Sequence, residues 1–203
     1  MTRQEAPDQG NKRTLRRDVL AARATLTADD LTETADALTR HVLRMPEVRE
    51  AAGVAAYASV GTEPGTGPLL EALHARGVRV LLPVLMDDND LDWAVHEGTE
   101  SLVPAGRGLR EPSGPRLGPR AVTDVDVVLL PGLAVDARGL RLGRGAGCYD
   151  RALSRASAAP RPPFTAVLLH EGEVVDHVPG EAHDRSVDAV VTPAGVRYFR
   201  HER

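Results

Sequence analysis

From Lys12 to Ala24, apolar Leu15, Val19, Leu20 and Ala22 recur at helical spacing among Arg13, Arg16, Arg17 and Arg23. That period predicts an amphipathic helix. Thr27 followed by Asp30 has the form of a helix N-cap, and Leu31, Ala35, Leu38, Val42 and Leu43 carry a second helix to Met45. Val54–Tyr57 is a short buried strand that ends in the turn Gly61-Thr62-Glu63-Pro64-Gly65. A helix follows over Pro68–Arg76, closed by Gly77; then come a strand from Val78 to Leu82, stopped by Pro83, and another from Leu91 to Val95. Val125–Leu130 is apolar without alternation, the pattern of a central strand covered on both faces. Asp150–Ala156 starts a helix, and Phe164–Leu169 and Asp188–Val191 complete the sheet.

Strands alternating with helices predict an α/β fold, a three-layer sandwich with a mostly parallel central sheet flanked by helices. Residues 1–10 read as a disordered leader and 11–203 as a single domain. Residues 104–120 form a long stretch rich in Gly, Pro and Arg, the kind of loop that is functional or disordered. Composition narrows the class. A formal charge of −4 gives no general nucleic-acid surface. No apolar run approaches a membrane span, and the N-terminus lacks the apolar core of a signal peptide. A lone Cys148 excludes internal disulfides and cannot by itself make a zinc site. The expectation is a cytoplasmic protein with neither membrane nor nucleic-acid partner, and a monomer. Of its 25 basic residues only Lys12 is lysine, so that position is a place where a compact ammonium stands in for a guanidinium.

The chemistry concentrates after the central strand. Gly143, Gly145 and Gly147 alternate in a loop that enters a helix near Tyr149-Asp150-Arg151, with Arg141, Arg144 and Arg151 nearby. Small residues let backbone amides approach a polyanion, and the helix start adds partial positive charge. Neither the P-loop nor the dinucleotide fingerprint fits, since no Lys follows the glycines and their spacing is Gly-x-Gly-x-Gly. A plain glycine-rich turn with solvated arginines stays open on these residues alone.

The combination Pro131-Gly132-Leu133-Ala134, Asp136, Gly139, Arg141-Leu142-Gly143, Gly145, Gly147 and Tyr149-Asp150-Arg151 resembles the 5-formyltetrahydrofolate cyclo-ligase (5,10-methenyltetrahydrofolate synthetase) family. Supporting matches run in order: Lys12, Leu15, Arg16 and Arg23; Tyr57, Glu63 and Thr66; Glu111-Pro112; Pro179, Glu181 and His183-Asp184; and Val190-Val191-Thr192. Departures fall at Val135, Arg144, Ala146, Cys148, Glu173 (often Gln in the family) and Pro193.

The resemblance implies a ligase that uses ATP and Mg²⁺ to convert 5-formyltetrahydrofolate to 5,10-methenyltetrahydrofolate through a phosphorylated formyl oxygen. It implies ATP contacts from Lys12, Arg16, Arg141, Leu142, Gly143, Arg144, Gly145, Ala146, Gly147, Cys148, Tyr149 and Asp150. Lys12 and Arg144 take catalytic roles; Glu63, Tyr149 and Arg144 meet the folate; Asp150 and Asp184 hold Mg²⁺. Each residue has a plainer reading: a solvated helix face for Lys12 and Arg16, a first-turn acid for Asp150, turn polarity for Glu63. Two other functions compete. One is a folate- or nucleotide-binding regulator without turnover; the other is a sugar-phosphate isomerase-like enzyme on a related fold.

Overall fold

The computed structural model describes residues 7–180 and 185–199. Helices come first: α1 (Pro7–Arg23), α2 (Ala28–Val42) and a single turn, α3 (Pro46–Arg49). Next are β1 (Gly53–Ala55), α4 (Gly67–Ala75), β2 (Arg79–Leu85) and β3 (Leu91–Val95). A hairpin, β4 (Leu102–Pro104) with β5 (Arg110–Pro112), precedes the central strand β6 (Val127–Pro131). A second hairpin, β7 (Ala134–Val135) with β8 (Arg141–Leu142), leads into α5 (Cys148–Ser157). The chain closes with β9 (Phe164–Leu168), β10 (Ala189–Thr192) and β11 (Gly195–Tyr198).

Seven strands form one sheet in the order β11-β10-β9-β6-β1-β2-β3. The five inner strands run parallel, and the antiparallel β11 and β3 close its edges. Apolar side chains explain the layering. One face of the sheet, with Val54, Val80, Val127 and Leu129, buries Leu38 and Val42 of α2 and Leu69 and Leu73 of α4. The other, with Ala55, Val128 and Leu130, takes Ala152, Leu153 and Ala156 of α5. The expected three-layer α/β sandwich is the fold observed. A third cluster packs Leu15 and Val19 of α1 on Leu133, Leu140 and Leu142 of the β7–β8 hairpin. No helix among the described residues is long and apolar enough to cross a membrane.

Several boundaries moved for identifiable reasons. Pro83 does not stop its strand; β2 continues to Leu85 and pairs Pro83 with Trp93. Leu81 accepts the Ala56 N–H and the Leu85 N–H reaches Glu111 Oε1, so odd-numbered amides of β2 face the β1 side. β1 has ended there, and the missing N–H of Pro83 costs no ladder bond. Residues 104–120 contain β5 and one end of its hairpin, so the stretch is not structureless. The hairpin β7–β8 and the edge strand β11 lie where no strand was expected, because two-residue strands and a polar edge carry little period. α1 begins at Pro7, inside the expected leader; residues 1–6 lie outside the described residues. The capping box is present: Asp30 N donates to Thr27 Oγ1 at 3.1 Å and Thr27 N to Asp30 Oδ2 at 2.8 Å.

Asp136 turns the β7–β8 hairpin. Its Oδ1 accepts the amides of Arg138 at 2.9 Å and Leu140 at 3.2 Å, while Oδ2 takes the Val178 amide at 3.1 Å and the Arg138 guanidinium at 2.6 Å. Burial alone would raise this carboxyl, but the Arg138 guanidinium and these amides outweigh it and hold it below the ordinary range. A depressed carboxyl stabilises the fold fully above about pH 4 and loses that contribution as pH falls through its lowered value. Asp136→Asn should therefore be less stable than the parent at neutral pH and show a shallower loss toward acid, read as urea midpoints against pH. An unchanged acid limb would remove Asp136 from that role.

Candidate functional site

Chains that leave a parallel sheet on opposite sides of a reversal in strand order part from each other and open a crevice at the carboxyl ends. Here the reversal falls between β1 and β6: β2 lies on one side, β9 and β10 on the other. β1 is only three residues long, so Leu82–Leu85 of β2 and Leu129–Pro131 of β6 run past it without a partner from β1. A cleft of about 280 Å³ occupies that gap. Pro83, Leu85, Leu91 and Leu109 give it an apolar wall, and Tyr57 and Pro131 line it where β1 and β6 end. Gly143–Gly147 and the first turn of α5 form the wall opposite, with Glu63, Arg107, Arg110, Arg144 and Asp150 bringing charge.

The glycines of that loop are needed by conformation and by contact. Gly145 and Gly147 have φ of 103° and 72°, a region that side-chain-bearing residues seldom adopt. A Cβ on Gly143 would lie 2.8 Å from Arg141 Nη1. Gly147 caps α5 without a side-chain bond, which leaves the first amides of that helix to whatever enters the cleft. Arg16 of α1 donates from Nε to Gly143 O at 2.9 Å, placing a guanidinium beside Gly145 as well. Arg144 reaches across, with Nε 3.3 Å from Glu63 Oε1, while Glu63 Oε2 accepts the Val60 amide at 3.0 Å.

The expected residues separate into groups. Glu63, Arg141, Gly143, Arg144, Gly145, Ala146, Gly147, Cys148, Tyr149 and Asp150 line one cleft. Leu142 does not line the cleft: its side chain is buried with Leu133 and Leu140, and its carbonyl accepts the Leu133 amide. Arg141 points inward, 4 % exposed, with Nη2 on Asp150 Oδ1 at 2.7 Å and Nη1 on Pro131 O at 3.1 Å. Asp150 uses Oδ1 for that pair instead of capping α5; its Oδ2 has no hydrogen bond among the described residues. Lys12 is 8 % exposed on α1, one turn before Arg16, which does not match a solvated helix face. Asp184, with Glu181 and His183, lies outside the described residues. Among those described, no group of three His, Cys, Asp or Glu is placed to hold a metal ion.

Burial, reinforced by the Glu63 carboxylate, pushes the Tyr149 phenol well up and keeps it neutral. Burial also raises the Cys148 thiol, outweighing Arg151 and Arg107, so the neighbouring arginines do not make it a ready thiolate. The sequence reading missed the ion pair behind the cleft. Arg23 Nε donates to Glu173 Oε1 at 2.7 Å and Nη2 to Oε2 at 2.8 Å, with both side chains buried. A signal existed: at about 100° per residue, positions 12, 16 and 23 fall within roughly 40° of one another on the face shared with Leu15 and Val19. A cation recurring on the packed face of a helix calls for a buried anion.

Comparison with known proteins places this arrangement. A profile of the 5-formyltetrahydrofolate cyclo-ligase family matches residues 8–193. A protein of Mycolicibacterium smegmatis named 5-formyltetrahydrofolate cyclo-ligase is 44% identical over 146 residues, covering 69% of this chain and 73% of its own. One of the same name from Escherichia coli is 31% identical over 176 residues, covering 86% and 96%. The solved structure of Aquifex aeolicus 5,10-methenyltetrahydrofolate synthetase superposes with a TM-score of 0.79 at 28% identity, covering 95% of this chain and 94% of that one.

The raised thiol gives a checkable outcome. Cys148 should react slowly with a disulfide reagent at pH 7, and the rate should still be climbing at pH 9, followed as thiolate release against pH. A plateau below pH 8 would contradict the burial argument.

Proposed function

The chain belongs to the 5-formyltetrahydrofolate cyclo-ligase family, and on that premise we propose that it uses ATP and Mg²⁺ to close 5-formyltetrahydrofolate into 5,10-methenyltetrahydrofolate, releasing ADP and phosphate. It is a ligase of folate one-carbon metabolism. One observation carries the detailed reading: an apolar-walled cleft and an amide-rich, cation-flanked loop share a single crevice. A folate needs the first; a triphosphate needs the second.

The formyl group of the substrate is an amide, with a weakly electrophilic carbon and an oxygen that does not leave. Transfer of the γ-phosphoryl group to that oxygen, with ADP departing, remedies both faults. N10 then attacks the activated carbon, the C–O bond breaks to release phosphate, and N10 loses its proton as the ring closes. Phosphoryl transfer disperses negative charge over the equatorial oxygens, so positioned cations and amides do the catalytic work and no side-chain nucleophile is required.

In this reading the amides of Gly143, Gly145, Ala146, Gly147 and Cys148, and the α5 start with Tyr149, cradle the triphosphate. Lys12 and Arg16 hold it from α1. Arg144 leaves Glu63 to meet the transferring group, and Glu63 turns to the N–H edge of the pterin, with Tyr149 packing beside the ring. Arg141 serves from behind, holding Asp150 and Pro131. The unbonded Oδ2 of Asp150 fits Mg²⁺, a cation that takes few carboxylates and otherwise phosphate and water oxygens. Asp184 is the proposed second carboxylate. The ion would supply charge neutralisation between the phosphates. The protein acts on small molecules alone, as a cytoplasmic monomer.

Absorbance of the methenyl product tests the proposal. Purified protein with 5-formyltetrahydrofolate, Mg²⁺ and ATP should generate the chromophore, and leaving out ATP should abolish it. Binding without turnover would point to the regulator instead. Lys12→Ala should raise the KM for ATP, by about tenfold or more if one phosphate contact is lost. Asp150→Asn should lower kcat with a shifted Mg²⁺ dependence. Parent-like kinetics in both variants would remove those two assignments and leave the family unaffected.

A further inference from the structure

The Arg23–Glu173 pair joins more than its two partners. Arg23 is the last residue of α1 and is 2 % exposed; Glu173 lies in the turn after β9 and is 6 % exposed. Besides the two contacts between them, Arg23 Nη2 donates to Gly132 O at 2.6 Å, just beyond the end of β6. Glu173 Oε2 also accepts the His170 amide at 2.9 Å. The His170 ring then reaches Thr62 O at 3.0 Å, and because a carbonyl can only accept, Nε2 carries the proton. Burial lowers the His170 pKa, keeping the ring in that neutral donor form. Thr62 directly precedes Glu63. One buried charge pair thus fixes α1, the exit of β6 and the turn carrying Glu63.

Stability alone does not account for such a pair. Two ions taken out of water hold a core no better than apolar residues of similar volume, and often less well. What a guanidinium supplies is direction, because its planar donors fix the angle and register of whatever they bind. α1 is held a second time seven residues earlier, where Arg16 meets Gly143 O. The span between the holds is about 10 Å at 1.5 Å per residue. A helix pinned at two points along its axis can neither slide nor turn relative to the glycine loop.

We propose that Arg23 and Glu173 are positioning residues of the site: their ion pair sets the register of α1, and with it Lys12 and Arg16, against the Gly143–Gly147 loop and the Glu63 turn. The pair touches no substrate. Its functional consequence rests on the reading of Lys12 and Arg16 as nucleotide-binding, whereas its structural consequence does not.

The experiment exploits that difference. The double variant Arg23→Met/Glu173→Met removes both charges together, so no ion is left buried alone; the Gly132 carbonyl and His170 amide lose their partners, so the melting temperature should fall modestly with the fold retained. Hydrogen exchange on the ligand-free protein should nonetheless quicken in α1, residues 59–63 and residues 141–147, while α2 and α4 keep their parent rates. The KM for ATP should rise by about tenfold or more with a smaller fall in kcat, since groups misplaced by about an ångström hold and align the nucleotide less well. Arg23→Lys, which keeps the charge but loses the fork, should show the same pattern in milder form and guards against failure of the double variant to fold. A folded double variant with parent exchange rates and parent KM overturns the proposal. Faster exchange with the KM for ATP unchanged in both the double variant and Lys12→Ala upholds the positioning role and instead defeats the nucleotide role of α1.

Discussion

Parallel pairing governs this molecule. Strands that all point one way must be joined by crossovers that cover the faces of the sheet, and their carboxyl ends then share one edge. β10, β9, β6, β1 and β2 obey that rule, and the order reverses at β1 and β6. The crevice follows from connectivity before any polar residue is considered. Tyr57 and Glu63 belong to the chain after β1 and the glycine loop to the chain after β6, so the two walls of the cleft arrive from opposite sides of the reversal. The β7–β8 hairpin carries the loop back over the cleft, and α1 is packed on that hairpin.

Electrostatic order in and around the crevice is largely internal. Arg141 faces Asp150, Arg144 faces Glu63, Arg138 faces Asp136 and Arg23 faces Glu173. These pairs differ in burial, and burial separates their tasks. Both members of Arg23–Glu173 are shut away from water, whereas in the Asp136 turn the carboxylate is buried and its partner Arg138 is exposed. Arg144 is more than half exposed although Glu63 is not, and solvent around the guanidinium weakens their pair. The amides at the start of α5 bear partial positive charge without a flexible side chain to order.

Much of the fold was legible in the chain. The central apolar run, the capping box at Thr27 and the helix closed by Gly77 each rest on local physics, and each has its counterpart in β6, α2 and α4. The glycine spacing and its arginines marked the loop that walls one side of the cleft. What escaped was set by distant partners. Nothing near Pro83 in sequence reveals that β1 stops short, and a two-residue strand such as β8 has no period to detect. Asp150 is the first-turn acid its position suggests, but its pairing with Arg141 was not legible, and Glu173 gained its meaning only from a helix 150 positions earlier. Pairing across that separation is invisible to any window of sequence.

The brevity of β1 has a cost for the protein as well as a use. Two further residues of regular pairing with β2 and β6 would heal the middle of the sheet, satisfy more backbone, and fill the cleft. A search for thermostable variants would thus be drawn to this seam, and its winners there should be inert. The cleft is a gap in an otherwise continuous ladder, kept open at the expense of cohesion.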